Sequence, residues 1–135
     1  MARALKPFDL ARLFAALADP TRLRLLNLMR DREVCVCYFV EILRLSQPKI
    51  SRHLAYLRRA GIVSARREGK WMHYRMERPA DKGAAAILTA TLASFESDRT
   101  LQADLARLSE ACCEPRQLAS LQGAPGPTQF DRRPA

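Results

Sequence analysis

Ser46-Gln47-Pro48-Lys49-Ile50-Ser51-Arg52-His53-Leu54-Ala55-Tyr56-Leu57-Arg58-Arg59-Ala60-Gly61 is a stretch whose ends and faces both spell a helix. Ser46 can cap the first free amides, Pro48 falls in the first turn where its missing N–H is not needed, and Gly61 supplies a left-handed stop. At the helical repeat of about 100° per residue, Ile50, Leu54 and Leu57 share one stripe while Lys49, Arg52, Tyr56 and Arg59 gather on the opposite side. One face packs and the other is basic, which predicts a recognition helix for nucleic acid over about 46–61.

The charge around this stretch supports that reading. Between Arg44 and Arg78 ten basic side chains face only Glu68 and Glu77, a net +8 out of +9 for the chain. A charge run is often only a solvated face, but this concentration around a capped helix points to a polyanion. At 135 residues, 48% hydrophobic and 27% charged, the chain is long enough for one folded domain and has an ordinary globular composition. No apolar run reaches the roughly 18 residues of a spanning helix, and no secretory signal opens the chain. A cytoplasmic location is expected, with four cysteines kept as thiols.

Working outward toward the N-terminus, Phe8, Leu10, Leu13, Phe14 and Leu17 recur at helical intervals and read as core. Asp19-Pro20 then starts a second helix with Leu23, Leu25, Leu26 and Leu28. Arg22 and Arg24 fall on its polar side, where a solvated face and a phosphate contact are both open readings. Glu33 to Leu43 is a short apolar segment, helical in its second half. Only a few residues separate it from Ser46, so the two helices form a helix-turn-helix with the first bracing the second.

Toward the C-terminus, Ile62 to Arg67 can be extended, Glu68-Gly69-Lys70 holds a turn glycine, and Trp71 to Met76 has strand composition. This predicts a hairpin wing over about 62–77, with Arg66, Arg67 and Lys70 placed for phosphates. On the recognition helix Gln47, Lys49, Ser51, Arg52, His53, Tyr56 and Arg59 are the candidates to meet double-stranded DNA. For His53 a structural hydrogen bond to a neighbouring turn is an equal alternative. The fold class is therefore mainly α with a β-hairpin, a winged helix-turn-helix.

From Asp81 onward Ile87, Leu88, Thr91, Leu92 and Phe95, then Leu101, Leu105 and Leu108, keep helical spacing. A long apolar helix over about 81–112 is expected to serve as a dimer surface, since two recognition helices need an axis. Residues 1–113 then form the DNA-binding and dimerisation domain. Residues 114–135, rich in Gly and Pro, are expected to be a disordered tail.

Taken together, Asp19-Pro20-Thr21-Arg22, Cys35-Val36-Cys37, Ser46-Gln47-Pro48-Lys49-Ile50-Ser51-Arg52-His53-Leu54 and Gly69-Lys70-Trp71-Met72-His73-Tyr74-Arg75 closely resemble the arsenic-responsive repressors of the ArsR/SmtB family. The resemblance covers about residues 8 to 113. It implies a homodimeric repressor, with no required cofactor and no protein partner besides its own copy, that leaves its operator when trivalent arsenic or antimony binds cysteine thiolates. Cys35 and Cys37 are the implied ligands. The chain departs from the family's best-known arsenite sensors at Val40, where those carry a third cysteine. Cys112 and Cys113 are the remaining candidates for a third ligand or a second site.

The residues themselves leave alternatives beside the resemblance. Soft thiolates suit a soft acceptor, yet free cysteine is also a common buried apolar residue. Residues i and i+2 of a helix point about 200° apart, so the two sulfurs can share an atom only where the backbone is extended or unwinds. Ligand capture is thus expected to change the start of the bracing helix. A thiol redox switch without metalloid is a further reading. An enzyme is not expected: positions six beyond each cysteine, Glu41, Leu43, Leu118 and Ala119, lack the arginine of a thiol arsenate reductase, and no Cys-x-x-Cys or phosphate loop occurs.

Overall fold

The computed structural model describes residues 9–113 and 123–129. Six helices and four short strands occur among them: α1 Leu10–Leu17, α2 Pro20–Met29, β1 Arg32–Cys35, α3 Val36–Leu43, α4 Gln47–Arg59, β2 Val63–Glu68, β3 Trp71–Met76, α5 Lys82–Ser94, α6 Arg99–Cys113 and β4 Thr128–Gln129. The sheet is antiparallel in the order β2-β3-β1-β4.

Side chains written in the sequence set the helix starts. Asp9, Asp19, Ser46 and Asp81 accept from the amides of Arg12, Arg22, Lys49 and Ala84, each three residues on. Pro20 and Pro48 occupy the first turns of α2 and α4. The turn between α3 and α4 is made by Arg44, left-handed at φ 54°, whose amide donates to the Val40 carbonyl. That compact turn fixes α3 against α4, the helix-turn-helix expected from the sequence. Beyond α4, Gly61 at φ 80° turns the chain into the hairpin β2–β3, where Glu68 faces Trp71 across a two-residue turn led by Gly69 at φ 58°.

The core is continuous through Leu13, Leu25, Leu28, Phe39, Ile42, Ile50, Leu54, Leu57 and Ile62 and reaches Leu88, Leu101 and Leu108. Three expectations need correction. Leu10 and Phe14, read as core, are 47% and 52% exposed, because α1 turns Leu13, Ala16 and, in part, Leu17 to the core and these two away from it. Phe8 lies outside the described residues.

The single helix expected over 81–112 is two helices. A 3-10 turn, Phe95–Ser97, interrupts it, with Ser94 and Ser97 hydroxyls donating to the Thr91 and Ser94 carbonyls and Asp98 accepting from the Leu101 amide. Such local bonds compete with the helical ladder and restart it. The second half, α6, folds back onto its own α2 and α3. Arg24 donates to both carboxylate oxygens of Asp104 at 2.7 and 2.9 Å, Asn27 donates to the Leu101 carbonyl, and Arg107 to that of Ile42.

The tail also differs from expectation where it is described. Thr128 and Gln129 pair with Glu33 and Arg32 at the free edge of β1, and Ala124 packs against the core. The remainder of 114–135 lies outside the described residues.

Candidate nucleic-acid interface and thiol centre

The exposed face of α4 gathers the basic residues assigned to it. Gln47, Lys49, Arg52 and Arg59 are exposed, while Ser51, His53 and Tyr56 are half-buried. Lys49, Arg52, His53, Tyr56 and Arg59 join Thr21 and Arg22 around an open concavity of about 630 Å³. The buried stripe Ile50, Leu54 and Leu57 sets which way this face points.

Arg22 holds the floor of that concavity. Its guanidinium donates to the Ala15 and Ala16 carbonyls at the end of α1 and lies 4.2 Å from the Tyr56 ring centroid. It also sits 3.3 Å from Nδ1 of His53, which is 3.8 Å from Asp19. Arg22 thus satisfies helix-end carbonyls and orients Tyr56 from beneath. His53 is engaged with neighbouring turns, the structural side of its two readings. Arg24 is likewise structural, through Asp104.

The wing separates its three cations. Arg67 and Lys70 are exposed at the hairpin end, Lys70 resting 4.9 Å over Trp71. Arg66, expected on phosphate, instead donates to both oxygens of Glu33 and to Glu68. This bond to Arg66 holds the Glu33 carboxyl below its ordinary pKa. Alternation along a strand carries no register, and register is what puts Arg66 beside an acid.

The thiols meet where β1 becomes α3. Cys35 is the helix cap with extended backbone (φ −69°, ψ 141°), and Cys37 is already helical, so the sulfurs lie 2.9 Å apart. Of the two conditions expected to let the sulfurs meet, extended backbone or an unwound helix, the strand-to-helix junction supplies the first, so the change at the helix start expected on capture is not needed to bring them together. Cys37 donates its S–H to Cys35, and this bond, aided by the amides of Cys37 and Val36, brings the Cys35 thiol down to about 7 against the opposing effects of burial and of the Glu68 carboxylate. The same bond, with burial, pushes Cys37 well up. Such a pair holds one proton between two sulfurs.

Cys112, exposed near the end of α6, comes within electrostatic reach of this junction. Its charge acts on Arg32 at the start of β1 and, with those of Cys37 and Cys35, on Tyr38, whose hydroxyl burial already raises. The side chain of Cys113 lies outside the described residues.

Comparison with known proteins bears on the family and the fold. The family model described as "Bacterial regulatory protein, arsR family" matches residues 19–65. The arsenic resistance transcriptional regulator ArsR1 of Pseudomonas putida is 44% identical over 98 residues, covering 72% of this chain and 75% of its own. The arsenical resistance operon repressor of Escherichia coli is 48% identical over 77 residues, 56% of this chain and 66% of its own. Among solved structures, HlyU from Vibrio cholerae superposes with a TM-score of 0.52 at 32% identity, over 59% of this chain and 84% of that one.

Proposed function

Because this chain belongs to the arsR family of bacterial regulatory proteins, and so is a DNA-binding transcriptional repressor and no enzyme, we propose that trivalent arsenic is the signal that takes it off its operator, captured by Cys35 and Cys37. The observation that carries this is the 2.9 Å approach of two thiols at the head of α3, the helix that braces α4. Soft, polarisable sulfur selects a soft acceptor such as As(III) or Sb(III).

The capture balances without an oxidant. Each thiol gives its proton to a hydroxide of arsenous acid, the hydroxide departs as water, and an As–S bond replaces the As–O bond while arsenic stays trivalent. Two thiols replace two hydroxides. Cys112, a free and exposed thiol, is the candidate for a third within the described residues. Because α3 packs on α4, ligand at its head and the DNA-competent pose of α4 have different joint energies, which is what couples them.

On the DNA side, α4 reads the major groove with Gln47, Lys49, Ser51, Arg52, Tyr56 and Arg59, and Arg67 and Lys70 of the wing hold phosphates. Two copies of the domain, residues 1–113 with the dimer surface expected over about 81–112, bind a two-fold operator. The exposed Leu10 and Phe14 support adding α1 to that interface.

Titration of arsenite into the repressor–operator complex tests the reading. Cys35→Ser and Cys37→Ser should each bind operator as the parent does and fail to release it. Cys112→Ser should need more arsenite for the same release. Release by peroxide alone, with arsenite inert, would transfer the switch to thiol oxidation, the alternative that the depressed Cys35 thiol favours.

A further inference from the structure

The thiol pair stands at the edge of a sheet whose far side is the wing. Cys35 on β1 is in register with His73 on β3, and His73 with Arg66 on β2. Directly opposed residues share a face of the sheet, as do residues two apart on a strand. Glu33, Cys35, His73, Arg66 and Glu68 therefore occupy one contiguous patch. Arg66 bridges Glu33 to Glu68, and Nε2 of His73 lies 3.4 Å from Oε1 of Glu68 without forming a hydrogen bond. The patch runs from the thiols to the hairpin turn with no gap.

Burial decides how it responds. Cys35 is fully buried and His73 only 4% exposed, whereas the Glu68 side chain is 55% exposed at the hairpin end. Close-packed interiors have no room for an added atom, so a ligand on the sulfurs has to move a neighbour. On its other sides Cys35 is packed in the core and leads directly into α3. Directly opposite Cys35 across the β1–β3 pair stands His73, whose buried Nε2 has no hydrogen bond to lose.

We propose that His73 is the positioning residue that carries ligand capture to the wing: a ligand on Cys35 and Cys37 displaces the imidazole, and the imidazole shifts Glu68, Arg66 and the hairpin turn from their DNA-competent place. This rests on the thiol pair being the inducing site, and adds the wing to α4 as a moved element. Among the described residues no three His, Cys, Asp or Glu side chains are grouped to hold a metal ion, and the role proposed for His73 is one of contact.

The test is operator binding by the full chain with and without arsenite, beside arsenite titration of the free protein, for wild type, His73→Gln and Glu68→Gln. Both variants should bind free operator and arsenite within about threefold of wild type. The ratio of operator Kd with arsenite to Kd without it should fall at least tenfold below that of wild type. A merely structural histidine would not move that ratio at constant affinities. Unchanged ratios in both variants overturn the inference, and loss of arsenite binding in His73→Gln would make His73 a ligand and overturn it too. Should His73→Gln fail to fold, Glu68→Gln at the exposed turn decides alone. If arsenite does not release the wild type, the thiol reading itself fails, an outcome distinct from release that both variants retain.

Discussion

Cys35 and Cys37 set the pH behaviour of the repressor at the scale of single residues. The Cys35 thiol lies at about 7 and Cys37 is raised, so the pair should lose one proton near neutrality and hold the other far into the alkaline range. Below about 7 both are thiols, and capture of arsenous acid exchanges only water, so arsenite affinity should be flat. Above it, the thiolate must regain a proton before hydroxide can leave as water, so affinity should fall by up to about tenfold per pH unit. Ultraviolet absorbance of the thiolate in Cys112→Ser/Cys113→Ser protein, with arsenite Kd across the same range, checks both statements. A first proton lost only above about 8.5, as for an isolated cysteine, would mean that the sulfur contact does not persist in solution.

Among the elements, α6 depends most on one ion pair. Asp104 is 1% exposed and holds Arg24 of α2 through two short hydrogen bonds, so Asp104→Ala leaves a guanidinium with only partial access to water. It should cost about 3 kcal/mol, read as a lowered denaturant midpoint with unchanged slope. A loss under about 0.5 kcal/mol would make the pair an ordinary surface one. Neither Arg24 nor Asp104 could be matched from sequence, because 80 positions separate them and each alone resembles a solvated charge. What was legible is local. The caps Asp19 and Ser46, the stripe of α4 and the turn at Gly69 are signals within a few residues, and α2, α4 and the wing follow from them. The meeting of the two sulfurs was half legible: Cys35-Val36-Cys37 marked the site, but only the junction of β1 with α3 shows how the spacing is reconciled. The split after α5 was written in Ser94, Ser97 and Asp98, yet the apolar spacing on either side outweighed them.

At the scale of the whole molecule, exposed Leu10 and Phe14 leave α1 unfinished as a packing surface. Phe14→Glu should convert a dimer to a monomer in sedimentation and weaken operator binding by a factor of about 100 or more, since the second half-site is then no longer tethered. A dimeric Phe14→Glu protein with parental affinity would place the interface elsewhere. The pairing of β4 with β1 has a consequence in time. Arg32 meets Gln129 only after almost the entire described chain has been made, so this contact closes the longest loop among the strand pairings of the described residues and should form after the helices and hairpin. During synthesis the strand that ends in Cys35 therefore has a bare backbone edge, able to pair with a neighbouring nascent chain, and it is sealed only when Thr128 and Gln129 emerge.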